Sequence, residues 1–284
     1  MKVVIFCGGL GMRLREYSES IPKPMVPLGY RPILWHVMRY YAHFGHKEFV
    51  LCLGYRADTI KKYFLEYDET TSNDFVLSEG GKKVDLLKSD IHDWKITFVE
   101  TGLQSNIGQR LKAVERVVGD EPEFLANYSD GLSNLSLPDH LAHFRSRDAV
   151  ASFVSVKPNL SYHLVSAEDG RVTAIQDIRQ TPVRINGGFF CFKREIFDYM
   201  RDGEELVVEP FHRLVRNRKL AAYEYDGFWQ SMDTFKDRQQ LEEIHGRGDA
   251  PWQLWSRTNQ PHAQTSVLPP APVFREPAAR MRIV

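Results

Sequence analysis

The sequence has few of the features that mark secreted or disulfide-rich chains. Three cysteines occur in 284 residues, and Cys7, Cys52 and Cys191 stand far apart inside apolar runs. This spacing suits neither a disulfide framework nor a close cluster of metal ligands, which would bring cysteines together in sequence. Thiols in apolar surroundings fit a reducing compartment, so we expect a cytoplasmic protein.

The sequence also lacks an excess of one charge and a long hydrophobic run. Lys plus Arg and Asp plus Glu both number 37, which gives a formal net charge of zero. No global field therefore recruits nucleic acid or an anionic membrane. The apolar run at residues 3–7 is too short for a signal-peptide core, and no stretch approaches a membrane span. The expected partner is a small molecule, with no nucleic acid and no membrane.

The first half of the sequence alternates between strand and helix patterns. Hydrophobic residues make up 43% of the chain, which is enough for a sizeable core. Short apolar runs predict strands, and helical spacing predicts the helices between them. The predicted strands are residues 2–7, 48–53, 95–100 and 123–128, and the predicted helices are 33–44, 57–66 and 111–118. This order indicates an α/β fold with a doubly wound, mixed but mostly parallel sheet.

The rest of the chain divides into a second half and two distinct segments. The strand-rich runs ASFVSV, RVTAI and GGFFCF, which follow residue 150, are expected to extend the same sheet. Residues 1–255 then form one domain with halves at 1–149 and 150–255. Residues 68–93 are polar without a clear period and could form a hairpin or an oligomer arm. Residues 256–284 are rich in proline, which predicts an extended or disordered tail.

A glycine-rich loop follows the first predicted strand directly. Residues 8–14 read GGLGMRL, and residues 22–24 read PKP. Glycines let the backbone approach phosphate groups and present N–H groups to them, and Arg13 and Lys23 add cationic donors suited to a triphosphate. The alternative interpretation is a tight turn beside two solvated cations, which a glycine loop alone would not exclude.

These motifs resemble those of the sugar-phosphate nucleotidyltransferases, whose pattern begins GGxGxRL and continues to PKPM. Within that family, several segments follow in order the pattern of the glucose-1-phosphate cytidylyltransferases, namely FCGG, KPMVPLGYRPILWHVM, VETG, GQRLKAV, INGGFF, EP and GFWQSMDT. The likeness covers about residues 1–255. It implies a Rossmann-like fold in which residues 1–149 bind the nucleotide and residues 150–255 bind the sugar phosphate.

The resemblance implies a metal site formed by Asp130 and Asp233. Each residue is ambiguous by itself, because Asp130 could be a turn former and Asp233 a helix cap. Both match the family's metal-binding aspartates, and carboxylate oxygens with room for water and phosphate suit Mg²⁺. We therefore expect Mg²⁺ as the cofactor.

The resemblance also assigns residues to the two substrates. For the nucleoside triphosphate, with CTP favoured, it points to Gly8, Gly9, Gly11, Met12, Arg13, Lys23 and Arg110, of which Arg13 and Lys23 are the expected catalytic residues. For the sugar phosphate it points to Asn186, Gly187 and Glu209. The alternatives are a surface arginine starting a helix for Arg110, a strand bulge for Gly187 and a helix-start residue for Glu209. Gln109 stands where relatives have the second glycine of GGRL.

One segment departs from the family pattern. Many relatives have a lysine in a Glu-Lys-Pro triplet that holds the phosphate of the sugar phosphate, and the corresponding residue here is Ile178. Either Arg179 replaces that lysine or the acceptor is not the standard hexose 1-phosphate. An arginine is not a neutral replacement, because its planar guanidinium approaches phosphate differently.

The implied reaction is in-line attack by an acceptor phosphate oxygen on the α-phosphorus of the triphosphate, with pyrophosphate leaving. We expect a homo-oligomer that transfers CMP to a sugar 1-phosphate such as glucose 1-phosphate. The same chemistry with another base or acceptor is an alternative, and so is a non-catalytic nucleotide-binding regulatory paralogue. An NAD-dependent dehydrogenase is disfavoured, because Leu14 stands where the third glycine of the dinucleotide motif belongs.

Overall fold

The computed structural model describes residues 1–9, 21–159 and 162–257. In these ranges the strands are β1 Lys2–Phe6, β2 Pro27–Leu28, β3 Arg31–Pro32, β4 Glu48–Leu53, β5 Phe75–Ser78, β6 Lys83–Leu86, β7 Lys95–Glu100, β8 Glu123–Tyr128, β9 Gly131–Ser133, β10 Ala151–Val156, β11 His163–Glu168, β12 Arg171–Asp177, β13 Ile185–Asn186, β14 Phe190–Lys193, β15 Leu220–Tyr225 and β16 Trp229–Ser231. The α-helices there are Ile33–His43, Ala57–Leu65, Ile107–Ala113, Glu115–Val118, Leu137–Ser146, Glu209–Arg216, Phe235–Gly246 and Leu254–Arg257. Short 3₁₀ helices lie at Lys23–Met25, Glu69–Thr71, Glu79–Gly81, Ile178–Gln180 and Arg194–Tyr199.

The central sheet of the described chain has eight strands and is mixed. Strands β7, β4, β1 and β8 are neighbours in that order and run parallel. Strand β14 is antiparallel to both of its neighbours, β8 and β10. Strand β13 pairs antiparallel with the carboxyl end of β10, and β15 runs parallel to β10. The predicted α/β fold with a mixed, mostly parallel sheet is confirmed, and the second half extends the sheet of the first half as expected.

Successive residues of β1 are buried on opposite faces of the sheet. Val3 and Ile5 belong to one hydrophobic cluster, and Val4 and Phe6 belong to the other. A strand covered on both faces is a continuous apolar run, because neither face meets water. This burial explains why residues 2–7 show no alternation in sequence and why the site-bearing loop starts from a rigid strand.

One predicted helix begins earlier in the sequence than expected. The pattern predicts a helix at 111–118, whereas the helix starts at Ile107 and a second one, Glu115–Val118, follows. The Asn106 side chain accepts from the Gln109 N–H at 2.8 Å, and the Gln109 side chain accepts from the Asn106 N–H at 2.9 Å. This capping box fixes the start of the helix and gives Gln109 a structural role.

Two strand predictions of the second half are corrected in detail. Strand β12 covers the predicted run at residues 171–175, but it pairs with β11 in a separate two-stranded sheet. The run GGFFCF is broken between β13 and β14, because Gly188 and Phe189 have φ values of 77° and 52°. Backbone in this left-handed region leaves the strand geometry, so Gly187 precedes a local break in the sheet edge.

The 68–93 insertion contains a hairpin, as one of the two interpretations predicted. Strands β5 and β6 pair antiparallel and expose apolar side chains, including Leu77 at 59%. Arg31 fastens the base of the insertion, because its guanidinium donates to the Ser72 hydroxyl and to the Asp68 carbonyl at 2.8 Å each. A two-stranded hairpin with this much exposed apolar surface is only marginally stable alone.

The three cysteines are free and buried. None of the described helices is both long and apolar enough to cross a membrane. The carboxyl-terminal described residues pack on the domain through Trp252, whose side chain is 1% exposed. Residues 256 and 257 belong to the last helix, and residues 258–284 of the predicted tail lie outside the described ranges.

Candidate active site

A cleft of about 530 Å³ opens at the carboxyl ends of the parallel strands. Gly8 and Gly9 reach it from the end of β1, Tyr128 and Asp130 from the end of β8, and residues 103–107 from the loop after β7. The remaining walls come from Phe6, Lys23, Pro24, Arg110, Ser129, Glu205 and Asp233. Open α/β sheets bind their ligands at this edge, where loops of neighbouring strands converge.

The floor of the cleft is held by Arg110. Its Nη1 donates to the Leu53 carbonyl at 3.1 Å and to the Thr101 hydroxyl at 2.8 Å. The same nitrogen donates to the Gly102 carbonyl at 2.9 Å, and Nη2 donates to the Gly8 carbonyl at 2.9 Å. One buried guanidinium thereby ties the last residue of β4 to the segments that follow β1 and β7.

Arg110 also explains a glycine in the loop. A Cβ atom on Gly8 would lie 2.0 Å from Arg110 Nη1, so a side chain there would displace the guanidinium. Arg110 is 2% exposed, and the interpretation as a surface arginine starting a helix is therefore wrong. Its predicted contact with the nucleotide stays a prediction.

Lys23 projects into the cleft from a short 3₁₀ helix. The Met25 N–H donates to the Pro22 carbonyl at 2.8 Å, and the two prolines restrict the backbone on either side of the lysine. Lys23 Nζ forms an ion pair with Asp130 and lies 2.7 Å from Asp233 Oδ1. Burial disfavours the charged ammonium, but the two carboxylates outweigh this and raise the pKa of Lys23.

Pairing between two short strands brings Asp130 and Asp233 together. Strand β9 follows Asp130, strand β16 precedes Asp233, and Gly131 pairs with Ser231 in the β9–β16 ladder. The Met232 N–H donates to the Asp130 carbonyl at 3.0 Å, which continues the ladder into the cleft. The Ser231 hydroxyl donates to Asp233 Oδ2 at 2.8 Å and orients that carboxylate.

The donor set at this point fits a divalent cation. Asp130 and Asp233 each direct one carboxylate oxygen at the same ammonium nitrogen, so both side chains converge on one position in the cleft. Hard oxygen donors are what Mg²⁺ prefers, and it usually completes its shell with water and substrate phosphate. Among the described residues no cluster of three or more His, Cys, Asp or Glu could hold a metal ion, so further ligands would come from substrate or water.

The wall on the Tyr128 side joins the cleft to the break between β13 and β14. The Asn186 amide donates to the Tyr128 hydroxyl at 3.5 Å, and the Trp229 indole donates to the Gly187 carbonyl at 2.8 Å. A Cβ atom on Gly187 would meet three neighbours at 3.1 Å, so the close approach of Trp229 favours glycine there. Asn186 and Gly187 therefore lie behind Tyr128 and do not line the cleft themselves.

The carboxylate on this wall belongs to Glu205, which the sequence analysis does not predict. Glu209 is exposed, does not line the cleft, and accepts a hydrogen bond from the Glu205 N–H at 3.0 Å. Burial raises the pKa of Glu205, and the neighbouring Glu209 adds to the rise. Burial also raises the pKa of Tyr128 to about 12, with further contributions from Glu205 and Asp130.

Arg179 is the predicted site residue that lies apart from the others. It follows β12 in the 3₁₀ helix Ile178–Gln180, its side chain is 57% exposed, and it does not line the cleft. Its Nε lies 3.0 and 3.1 Å from the two carboxylate oxygens of Asp177. This pairing lowers the pKa of Asp177 to about 2.

The structure thus brings Gly8, Gly9, Lys23, Arg110, Asp130 and Asp233 into one cleft. Three further predicted residues, Gly11, Met12 and Arg13, lie outside the described residues. Tyr128 also lines the cleft and was not predicted, although its position near Asp130 in the segment NYSDG was a usable signal. Glu205 was not predicted either, and no motif or periodicity offered a signal for it.

The fold and this cleft define a class of protein. The nucleotidyl transferase family matches residues 2–237, and the chain belongs to that family. Among solved structures, a UDP-glucose pyrophosphorylase complexed with UDP-glucose superposes with a TM-score of 0.64 at 13% identity, covering 87% of this chain and 98% of that one. At this identity the likeness shows the fold alone.

Two relatives within this family have a higher sequence identity to the chain. A Bacillus subtilis (strain 168) protein named "Probable glucose-1-phosphate cytidylyltransferase" is 35% identical over 257 residues, covering 90% of this chain and all of the relative. The glucose-1-phosphate cytidylyltransferase of Salmonella typhi has the same identity and coverage. In both cases the match spans most of this chain and the full length of the relative.

Proposed function

We propose that this protein transfers CMP from CTP to a sugar 1-phosphate such as glucose 1-phosphate, giving a CDP-sugar and pyrophosphate, with Mg²⁺ as cofactor. The observation that carries the proposal is the convergence of Lys23, Asp130 and Asp233 in a cleft floored by Gly8 and Gly9. A cation between two carboxylates, beside backbone that can approach phosphate closely, suits phosphoryl chemistry on a nucleoside triphosphate.

The cleft residues have distinct tasks in this reaction. Lys23 would stabilise the negative charge that grows on the α-phosphate as the acceptor oxygen attacks, and the predicted role of Arg13 is at the β- and γ-phosphates. Asp130 and Asp233 would hold Mg²⁺, which when bound neutralises phosphate charge and orients the reacting groups. The acceptor phosphate is already ionised near neutral pH, so none of these residues needs to act as a general base.

The contact to the acceptor phosphate has two explanations that experiment can separate. Arg179 would replace the family's lysine only if its ion pair with Asp177 opened or shared the guanidinium with phosphate. In that case Arg179→Ala raises the Michaelis constant for the acceptor about 10-fold or more and leaves that for CTP unchanged, because a charge-assisted hydrogen bond is lost. An unchanged acceptor constant would favour a non-standard acceptor or a contact from another residue.

A substrate screen tests the proposal as a whole. The purified protein is incubated with Mg²⁺, one of the four ribonucleoside triphosphates or dTTP, and a panel of sugar 1-phosphates, and pyrophosphate release is measured. We expect the highest kcat/KM for CTP with glucose 1-phosphate or a close analogue. Binding of CTP without pyrophosphate release from any pair would contradict the proposal and favour a regulatory nucleotide-binding protein.

We also propose that the protein is a cytoplasmic homo-oligomer. The β5–β6 hairpin supports this, because it exposes large apolar side chains on an element too small to be stable when fully solvated. The three free, buried cysteines support a reducing compartment.

A further inference from the structure

We propose that Glu205 is the carboxylate that accepts hydrogen bonds from hydroxyl groups of the acceptor sugar, and that Glu209 is a positioning residue for it. This inference rests on the proposed function, because it assigns a substrate contact within that reaction. It reverses the expectation from the sequence, which gave the sugar contact to Glu209.

Glu205, and not Glu209, is positioned to touch a substrate in the cleft. Glu205 lines the cleft, whereas Glu209 does not line it and is exposed at the first turn of the helix Glu209–Arg216. The Glu209 carboxylate is already engaged, because it accepts the Glu205 N–H at 3.0 Å. Glu209 therefore acts on the backbone of Glu205, and Glu205 presents its side chain to the substrate.

The Glu205 carboxylate has hydrogen-bond acceptor sites left for a substrate. The backbone N–H groups of Ile107 and Leu206 stabilise the charged Glu205 carboxylate and partly offset the rise of its pKa, so they lie on its side of the cleft. A carboxylate offers about four acceptor sites, so about two remain for a ligand. Vicinal sugar hydroxyls are donors that match this capacity.

The negative charge of Glu205 also bears on which part of the substrates it can contact. A carboxylate that faced a phosphate group would repel it, and this repulsion is strong in a partly buried site. Glu205 therefore suits an uncharged, hydrogen-bonding part of the substrates, unlike Asp130 and Asp233, whose charge is offset by Lys23 and the proposed Mg²⁺. It lines the same cleft as Tyr128, whose hydroxyl accepts from Asn186, and Asn186 is a predicted sugar contact. Glu205 thus belongs to the wall where the sugar ring would lie.

Close packing holds the Glu205 segment against the start of the helix Ile107–Ala113. A Cβ atom on Gly108 would lie 2.2 Å from the Glu204 carbonyl oxygen and 2.9 Å from the Leu206 nitrogen. Both neighbours are backbone atoms, so a side chain at Gly108 would push the segment away. The motif GQRLKAV therefore begins with glycine because the Glu205 segment packs directly against that position.

The test compares glucose 1-phosphate with its 2-, 3-, 4- and 6-deoxy analogues in the full-length enzyme. Steady-state kinetics are measured for wild type, Glu205→Gln, Glu205→Ala and Glu209→Gln, with CTP saturating. We expect Glu205→Ala to raise the acceptor KM about 10- to 100-fold while the CTP KM stays within about twofold, the fold-change of a lost hydrogen bond to a charged group. Glu205→Gln keeps the shape of the side chain and guards against simple misfolding, which melting temperatures also monitor.

The deoxy analogues supply a readout that a structural role would not move. Wild type should discriminate against at least one analogue, and Glu205→Ala should use that analogue and glucose 1-phosphate about equally, because the lost partner no longer matters. Glu48→Gln is the control, since Glu48 is exposed at the amino end of β4 and far from the cleft edge. Glu209→Gln should show a smaller rise in acceptor KM with discrimination retained.

Two outcomes would overturn the inference. Unchanged acceptor KM and unchanged discrimination in both Glu205 variants would remove this residue from the sugar contact. Loss of discrimination in Glu209→Gln with an unaffected Glu205→Gln would return the contact to Glu209. Failure of the proposed function is distinguishable, because the wild-type enzyme would then release no pyrophosphate with CTP and any acceptor.

Discussion

Lys23 has two carboxylate partners in the cleft, and its charge depends on both. An ammonium held by Asp130 and Asp233 stays protonated at any working pH, because the carboxylates raise its pKa. The ammonium therefore stays charged in the cleft, and Mg²⁺ bound by the two carboxylates would free it to face the triphosphate. This arrangement gives the two aspartates two tasks, one toward lysine and one toward metal.

Replacing either aspartate should reduce turnover strongly. Asp130→Asn and Asp233→Asn each remove one negative charge from the proposed metal site, and we expect kcat to fall about 100-fold or more. Pyrophosphate release measured over a magnesium titration checks this, with thermal melting to show an intact fold. Asp198→Asn, at an exposed position, is the matched control. Normal turnover at unchanged magnesium would exclude that carboxylate from the metal site.

A buried histidine makes stability depend on pH. Burial lowers the pKa of His36 from 6.5 to about 4, and its Nε2–H donates to the Leu28 carbonyl at 2.9 Å. The unfolded chain binds a proton more readily, so the stabilisation is complete above about pH 6.5 and is lost as pH falls toward 4. The full effect is on the order of 3 kcal/mol. Urea unfolding at pH 7 and 5 should show a smaller pH dependence for His36→Asn than for wild type, and an equal slope would contradict this.

Motif residues could be predicted individually, whereas their neighbours could not. Gly8, Lys23 and Asp130 lie in continuous segments whose chemistry is visible in the sequence. Glu205 reaches the cleft only because its loop packs on Gly108, and that contact joins segments far apart along the chain. Arg110 was found from its motif, but its hydrogen bonds to two loops and to the end of β4 follow from the sheet order and not from local sequence.

At the scale of elements, the strands of the first half were predicted closely because they are buried runs with clear ends. Strands β4, β7 and β8 have the predicted bounds. The helix at Ile107 started earlier than predicted, because its first turn is fixed by the capping box and not by apolar periodicity. The break between β13 and β14 was missed because it depends on backbone angles that a run of apolar residues does not reveal.

Arg110 should be more sensitive to conservative replacement than its charge suggests. Lysine keeps the positive charge but has no planar guanidinium, so Arg110→Lys cannot bond the end of β4 to the segments after β1 and β7. We expect a loss of stability on the order of 3 kcal/mol and a higher KM for CTP, since several buried carbonyls lose their donor. Thermal melting and kinetics check both effects. Arg116→Lys, exposed on the neighbouring helix, should behave as wild type, and an Arg110→Lys enzyme matching it would refute the bracing role.

At the scale of the whole molecule, the β5–β6 and β11–β12 hairpins lie outside the central sheet and both expose apolar side chains. Leu77 in the β5–β6 hairpin and Val165 in the β11–β12 hairpin are each 59% exposed. The sequence predicted the first hairpin as one of two possibilities, from a polar stretch without helical period. It could not predict which surface the proposed partner subunit would cover, because that depends on a second chain and not on the chain's own packing.

The proposed homo-oligomer can be tested on these two hairpins. Leu77→Asp places a charge on the surface proposed to be covered, and we expect a smaller assembly because burying that carboxylate is costly. Light scattering coupled to size-exclusion chromatography gives the mass of each variant. Val165→Asp provides a match in exposure and chemistry on the other hairpin, and we expect it to keep the wild-type mass. A monomeric wild type, or an unchanged mass for Leu77→Asp, would remove the β5–β6 hairpin from the interface.

The β9–β16 pairing has a consequence for how the protein is made. A chain still on the ribosome can form the parallel strands and present Lys23 and Asp130 well before Trp229–Ser231 has been synthesised. Asp233 arrives late, and contacts between such distant segments form slowly because a long loop must close. A shortened chain that ends before β16 would keep the glycine loop but only one of the two carboxylates. Transfer activity is therefore expected only from molecules whose synthesis and folding are complete.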